Sequence, residues 1–133
     1  MEEVEKIISR DCIRTHNETR KTKKKIENLI EFDERMKLVK DFMETWNYWR
    51  QFYLDLPATK PKTKGQLTCI ENILDLVKEE NVNLRMLIAA THKAYSLYKR
   101  KYNPTYATVL HSGLDFYDKY YDDILIDIDK DYE

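Results

Sequence analysis

Three histidines, two cysteines and a cluster of C-terminal carboxylates are the groups on this 133-residue chain best suited to metal or covalent chemistry. His16, His92 and His111 share no ligand spacing, and no H-E-x-x-H motif occurs. Cys12 and Cys69 stand far apart with no second ligand near either. They frame neither a disulfide scaffold nor a zinc site, and they suit a reducing cytosol. Neither has an adjacent histidine to activate it as a nucleophile. Asp122 and Asp123 adjoin, but neighbours on a helix point about 100° apart, and the acid-rich tail around them makes a solvated surface the plainer reading. Gly65 and Gly113 are isolated, so no glycine-rich loop cradles a phosphate. These residues predict a protein that is not an enzyme and takes no metal or cofactor.

Charge and aromatic content carry more. The formal net charge is −1, so any attraction for nucleic acid must be local. The charges are segregated. Arg14 to Lys25 holds six basic residues against one acid, Lys93 to Lys101 holds four and no acid, and Asp115 to Glu133 holds eight acids against two lysines. The tightest basic run is Arg20, Lys21, Lys23, Lys24 and Lys25. Such runs are commonly solvated, and contact with a polyphosphate is their leading functional use. A second basic set, Lys93, Lys99, Arg100 and Lys101, alternates with Tyr95, Tyr98 and Tyr102. Rings that stack bases beside cations that meet phosphates make a single-strand surface. The competing reading, which we favour for the rings, is that these tyrosines finish the apolar stripe begun by Leu84, Leu87 and Ile88. On the same reasoning Tyr106, Tyr117 and Tyr121 are packing residues. Trp49, Phe52 and Tyr53 are candidate anchors for a protein partner, with core and interface evenly weighed for Trp49. Asp118, Asp122 and Asp123 are the acidic counterpart, suited to a basic partner.

The elements that position these residues are helices. Two glycines and three prolines leave few tight turns, which favours long helices over many short strands. Val4, Ile7 and Ile8 mark a short N-terminal helix, followed by a basic stretch without apolar residues that makes 1–25 a candidate flexible segment. Leu29, Phe32, Met36, Val39, Met43, Trp46 and Tyr53 form a heptad seam, and Leu38, Phe42, Trp49 and Phe52 form a second stripe beside it. The spacing predicts one helix over about 26–54, covered on two sides and long enough to invite self-association. Pro57 and Pro61 end it, Thr63 with Gln66 forms a capping box for the next helix, and Asn83 caps another. Asn103 and Pro104 predict a restart, Gly113 predicts an interruption, and 129–133 read as a frayed acidic tail. No apolar run approaches the length of a membrane span, and "MEEVEKIISR" lacks the core of a signal peptide.

The stretch "YATVLHSGL" sets Tyr106, Leu110 and Leu114 at four-residue spacing, and "NLRMLIAATHKAYSLYKRKYNP" precedes it. On these features, residues 51–121 resemble the DnaD-type helical domain of phage and bacterial replication initiation and helicase-loading proteins. Leu114 stands where that family has tryptophan, and a long heptad helix stands where it has a winged-helix domain. The resemblance implies binding to DNA and to a replicative helicase or its loader.

The expectation is therefore a single all-α domain over 1–133, a bundle of about five to six helices, cytoplasmic and self-associating. Its function is expected to be that of a non-enzymatic adaptor in nucleic-acid metabolism, with phage-type DNA replication as context, recruiting a protein partner to DNA. Two further readings stand beside it: a viral inhibitor that occludes a host protein without touching nucleic acid, and a helical subunit of a ribonucleoprotein.

Overall fold

A computed structural model describes residues 3–9, 22–98 and 102–131, and every regular element among them is a helix. The order is α1 (residues 3–9), α2 (Thr22–Leu54), α3 (Lys64–Glu80), α4 (Leu84–Tyr98) and α5 (Tyr106–Asp131). The chain is an all-α helical bundle. No helix among the described residues is long and apolar enough to cross a membrane.

Helix α2 is described from Thr22, seven residues before Leu29 opens the apolar seam. Its 33 residues span about 50 Å. From Val39 to Trp49 both stripes are covered within the monomer: Val39, Phe42, Met43, Trp46 and Trp49 are buried, while Leu38 stays exposed. Asp55, in the left-handed region at φ 52°, turns the chain out of α2. The connection is then strapped back onto the helix it left. Asn47 Nδ2 donates to Thr59 O at 3.1 Å, Thr59 N donates to Asn47 Oδ1 at 3.0 Å, and Arg50 Nε donates to Pro57 O at 2.8 Å.

Side-chain caps set the later boundaries. Thr63 Oγ1 accepts from Gln66 N at 3.1 Å, and Gln66 Oε1 accepts from Lys62 N, one residue before the expected reciprocal bond. Asn81, at φ 51°, closes α3 in the left-handed conformation that asparagine tolerates. Asn83 Oδ1 accepts from Met86 N at 3.2 Å and opens α4. The start of α5 differs from expectation. Thr105, not Asn103, is the cap: Thr108 Oγ1 accepts from Thr105 N at 3.0 Å, Thr105 Oγ1 accepts from Thr108 N at 3.4 Å, and Pro104 is buried ahead of the helix.

Gly113 does not interrupt α5, which runs unbroken to Asp131 and so through most of the expected frayed tail. The glycine serves close packing. A Cβ at 113 would stand 3.0 Å from Leu87 Cδ1 and 3.3 Å from Val109 Cγ1, so the missing side chain admits Leu87 of α4. Helix α4 is the central element. Every residue from Met86 to His92 is buried, and it packs most extensively on α5 and next on α2. Leu67, Ile70 and Ile73 of α3, with Val4 and Ile8 of α1, complete the core.

Candidate functional site

The basic residues singled out from the sequence fall into three groups. Arg20, Lys21, Lys99, Arg100 and Lys101 lie outside the described residues. Lys23, Lys24 and Lys25 fall in the first turn of α2, which carries no acid. Cations at a helix N-terminus oppose the macrodipole, at roughly 0.3–1 kcal/mol each when exposed. Helix stability therefore does not account for a lysine run at this place.

Lys93 belongs to an internal cluster rather than to a basic surface. Its Nζ donates to Asp127 Oδ2 and lies 5.4 Å from the centroid of the Tyr53 ring. Tyr53 Oη donates to the same carboxylate oxygen at 2.8 Å. One acceptor on α5 thus ties α2 to α4. Burial alone would push the Asp127 carboxyl up, but the donors Lys93 and Tyr53 outweigh it and hold the group below its ordinary value. The Tyr53 hydroxyl is pushed up by burial first and by its bond to Asp127 second. The lysine's charge is engaged by a carboxylate within the fold. Asp127 was hidden from sequence reasoning by the acidic tail around it. A usable signal existed: it follows the buried Tyr120 by seven residues and Ile124 by three, which places it on the packed face of α5.

The aromatic candidates divide by depth. Trp49 is 5% exposed and belongs to the core, because α2 is covered on both stripes there. Phe52 and Tyr53 are half-buried and pack against its ring at centroid separations of 5.3 and 5.7 Å. Phe42 and Tyr106 pack on Trp46, and the His92 ring lies 4.5 Å from that of Trp46. His92 Nδ1 donates to Ile88 O at 2.8 Å, which leaves Nε2 buried and without a hydrogen-bond partner among the described residues. Burial depresses the imidazole to about 4, so it is neutral near pH 7.

The tyrosines read as packing residues also divide. Tyr106 is buried and Tyr117 half-buried, but Tyr98 is half-exposed, Tyr121 is exposed and Tyr102 is 72% exposed. Tyr98 Oη accepts from Lys119 Nζ and from Tyr120 Oη, both at 2.7 Å, so its hydroxyl is engaged at the surface of α5. Tyr106, Leu110 and Leu114, the motif of the family resemblance, are all directed into the core cluster. Asp118, Asp122 and Asp123 are exposed along α5.

Two concavities flank these elements. A shallow cleft of about 480 Å³ opens at the Tyr53–Lys93–Asp127 cluster, with Ser96 and Lys130 on its margin. A larger groove of about 950 Å³ lies where the middle of α2 meets the start of α4 and the end of α5. No sequence signal marks this groove, since its lining comes from three separate segments. Among the described residues no cluster of His, Cys, Asp and Glu is arranged to hold a metal ion. Compared with known proteins, the chain matches no family model, no curated protein and no solved structure.

Proposed function

We propose that this chain is a non-enzymatic adaptor in nucleic-acid metabolism, touching DNA through the basic run 20–25 and holding a protein partner on another face. The observation that carries the reading is the placement of Lys23, Lys24 and Lys25 in an acid-free first turn of the longest helix. There they cost helix stability, and a bound polyanion would repay that cost through charge and macrodipole together. Phage-type replication is the context suggested by the DnaD-type resemblance, and self-association through α2 belongs to the same proposal. With Val39, Met43 and Trp46 buried in the monomer, such association is left to the part of the seam before Val39.

Fluorescence anisotropy with labelled duplex DNA tests it. Binding at low salt should weaken steeply as salt rises, with a log–log slope of about −4.5 if all five bases of the run meet phosphates. The triple variant Lys23→Gln, Lys24→Gln, Lys25→Gln should flatten that slope by about 3. Absence of binding at low salt ends the DNA reading. It would promote the second one, a protein that occludes a partner without nucleic acid, which is favoured by the internal engagement of Lys93.

A further inference from the structure

We propose that the groove between α2, the start of α4 and the end of α5 docks a basic amphipathic helix of a protein partner. The inference supplies the protein-binding side of the adaptor reading and rests on it for biological purpose; the docking itself needs no DNA.

Shape comes first. The groove holds about 950 Å³, near the upper end for small-molecule pockets, and is partly open to solvent, as a helix-in-groove site must be. Its floor is apolar: Trp49 and Met86 are buried, and Leu84 and Ile128 are half-buried. One wall is Tyr48, whose ring is 53% exposed yet held by edge contact with Trp49 at 4.8 Å and by stacking with Phe52 at 6.0 Å. A large ring fixed in place but left in water is the kind of anchor that binding surfaces use. Along α5, Tyr121 and Leu125 precede Ile128 by seven and three residues, and both are exposed, so the apolar stripe extends beyond the groove.

Charge identifies the occupant. Asp41 and Glu44 line the α2 side, against the single base Arg85 on the α4 side. On α5 the exposed residues beside the stripe are Asp118, Asp122 and Asp129. An apolar floor with two carboxylates and one guanidinium on its margins, continued along α5 by a stripe with exposed carboxylates beside it, complements a helix with apolar side chains on one face and Lys or Arg on its flanks. It disfavours an acidic one by like-charge contact.

The probe is a labelled model helix built only of leucine, at i, i+3, i+4 spacing, and lysine, titrated by anisotropy against the full chain. A leucine–glutamate helix of the same pattern is the comparison. The lysine helix should bind at least about tenfold more tightly, and binding should shift tryptophan emission because Trp49 lines the groove. Asp41→Lys with Glu44→Lys should weaken it by about tenfold. The same charge change at exposed Glu79 and Glu80, at the end of α3, should alter it by less than about threefold. Tyr48→Ala should weaken it comparably and move the emission shift to about tenfold higher helix concentration. Equal effects of the two charge-reversed variants would reduce the binding to diffuse attraction and overturn the proposal. So would light scattering showing a dimer that Tyr48→Ala dissolves, since the groove would then hold a second copy. Helix binding without DNA binding removes the adaptor reading and leaves the groove; DNA binding without helix binding removes the groove alone.

Discussion

Replacing Asp127 with alanine removes the single oxygen on which Lys93 and Tyr53 converge. Hydrogen bonds to an ionised partner are worth roughly 1.5–3 kcal/mol each. Two of them exceed what solvent screening subtracts here, because the Lys93 side chain is 12% exposed and that of Asp127 26%. Loss of the carboxylate also leaves the ammonium largely buried without its counter-charge. Asp127→Ala should therefore cost about 3 kcal/mol, a large part of the 5–15 kcal/mol that holds a typical domain folded. Lys93→Met, which keeps the stem and drops the charge, should cost about 2 kcal/mol. If the cluster acts as a unit, the double variant should lose about 3 kcal/mol rather than the sum of the two, a coupling of about 2 kcal/mol. Urea denaturation followed by helical circular dichroism reads all four corners of this cycle.

The same cycle has a pH signature. Asp127 is held below the ordinary carboxylate value near 3.9, so its contribution is fully present above that pH and fades as pH falls through the folded-state value. The gap between wild type and Asp127→Ala should stay constant from neutral pH down to about pH 5 and narrow only in stronger acid. Additivity of the single variants to within about 0.3 kcal/mol would refute the cluster as a structural unit.

Two other substitutions probe the core. His92 is depressed to about 4 by burial, below its unfolded value near 6.5, so the unfolded chain takes up the proton first and stability falls as pH drops through that window. Wild type should lose about 2 kcal/mol between pH 7 and 5 that His92→Leu does not lose, read by urea denaturation at both pH values; parallel curves would exclude His92 as the source. Gly113→Ala sets a helix-propensity gain of about 1 kcal/mol against overpacking onto fully buried Leu87, which typically costs 1–3 kcal/mol. The net should be destabilising by about 1 kcal/mol, and a higher melting temperature in the variant would show that Leu87 yields freely.

What was legible in the sequence was whatever is decided locally. Thr63 and Asn83 cap their helices through bonds spanning three residues, a distance at which residue type nearly determines geometry. The apolar stripes of α2, α3 and α4 mark the buried faces because helical spacing is a property of the segment itself. All but one of the misreadings, the start of α5, are non-local. Gly113 looks like a break until Leu87, 26 residues earlier, is seen to occupy its missing side chain. Asn103-Pro104 looks like a helix start, but the reciprocal bonds of Thr105 and Thr108 set it two residues later. Asp127 meets Lys93 across 34 residues and Tyr53 across 74, separations at which no pattern in the chain announces a pair. The groove gathers three helices in the same way, so its acids were visible in sequence only as parts of unrelated charged faces.

The tyrosine tract shows how depth separates structural from functional rings. Tyr106 is consumed by contacts with Phe42 and Trp46, and Tyr120 by the face of α5 that carries Ile124. Tyr98 is half in water, with its hydroxyl engaged by Lys119. Tyr102 alone of the rings flanking the basic residues 99–101 presents most of its surface. If DNA is met as a single strand, a base would stack on Tyr102, because stacking needs an accessible face and tolerates any sequence. Removal of a stacking ring costs roughly 1–3 kcal/mol per base, so Tyr102→Ala should weaken single-strand binding by about tenfold. Duplex binding should stay within about twofold, since paired bases offer no face to an exposed ring and phosphate contacts are untouched. Equal losses on both DNA forms would mean that Tyr102 acts through the fold. No loss on either would confine DNA contact to the basic run at the start of α2.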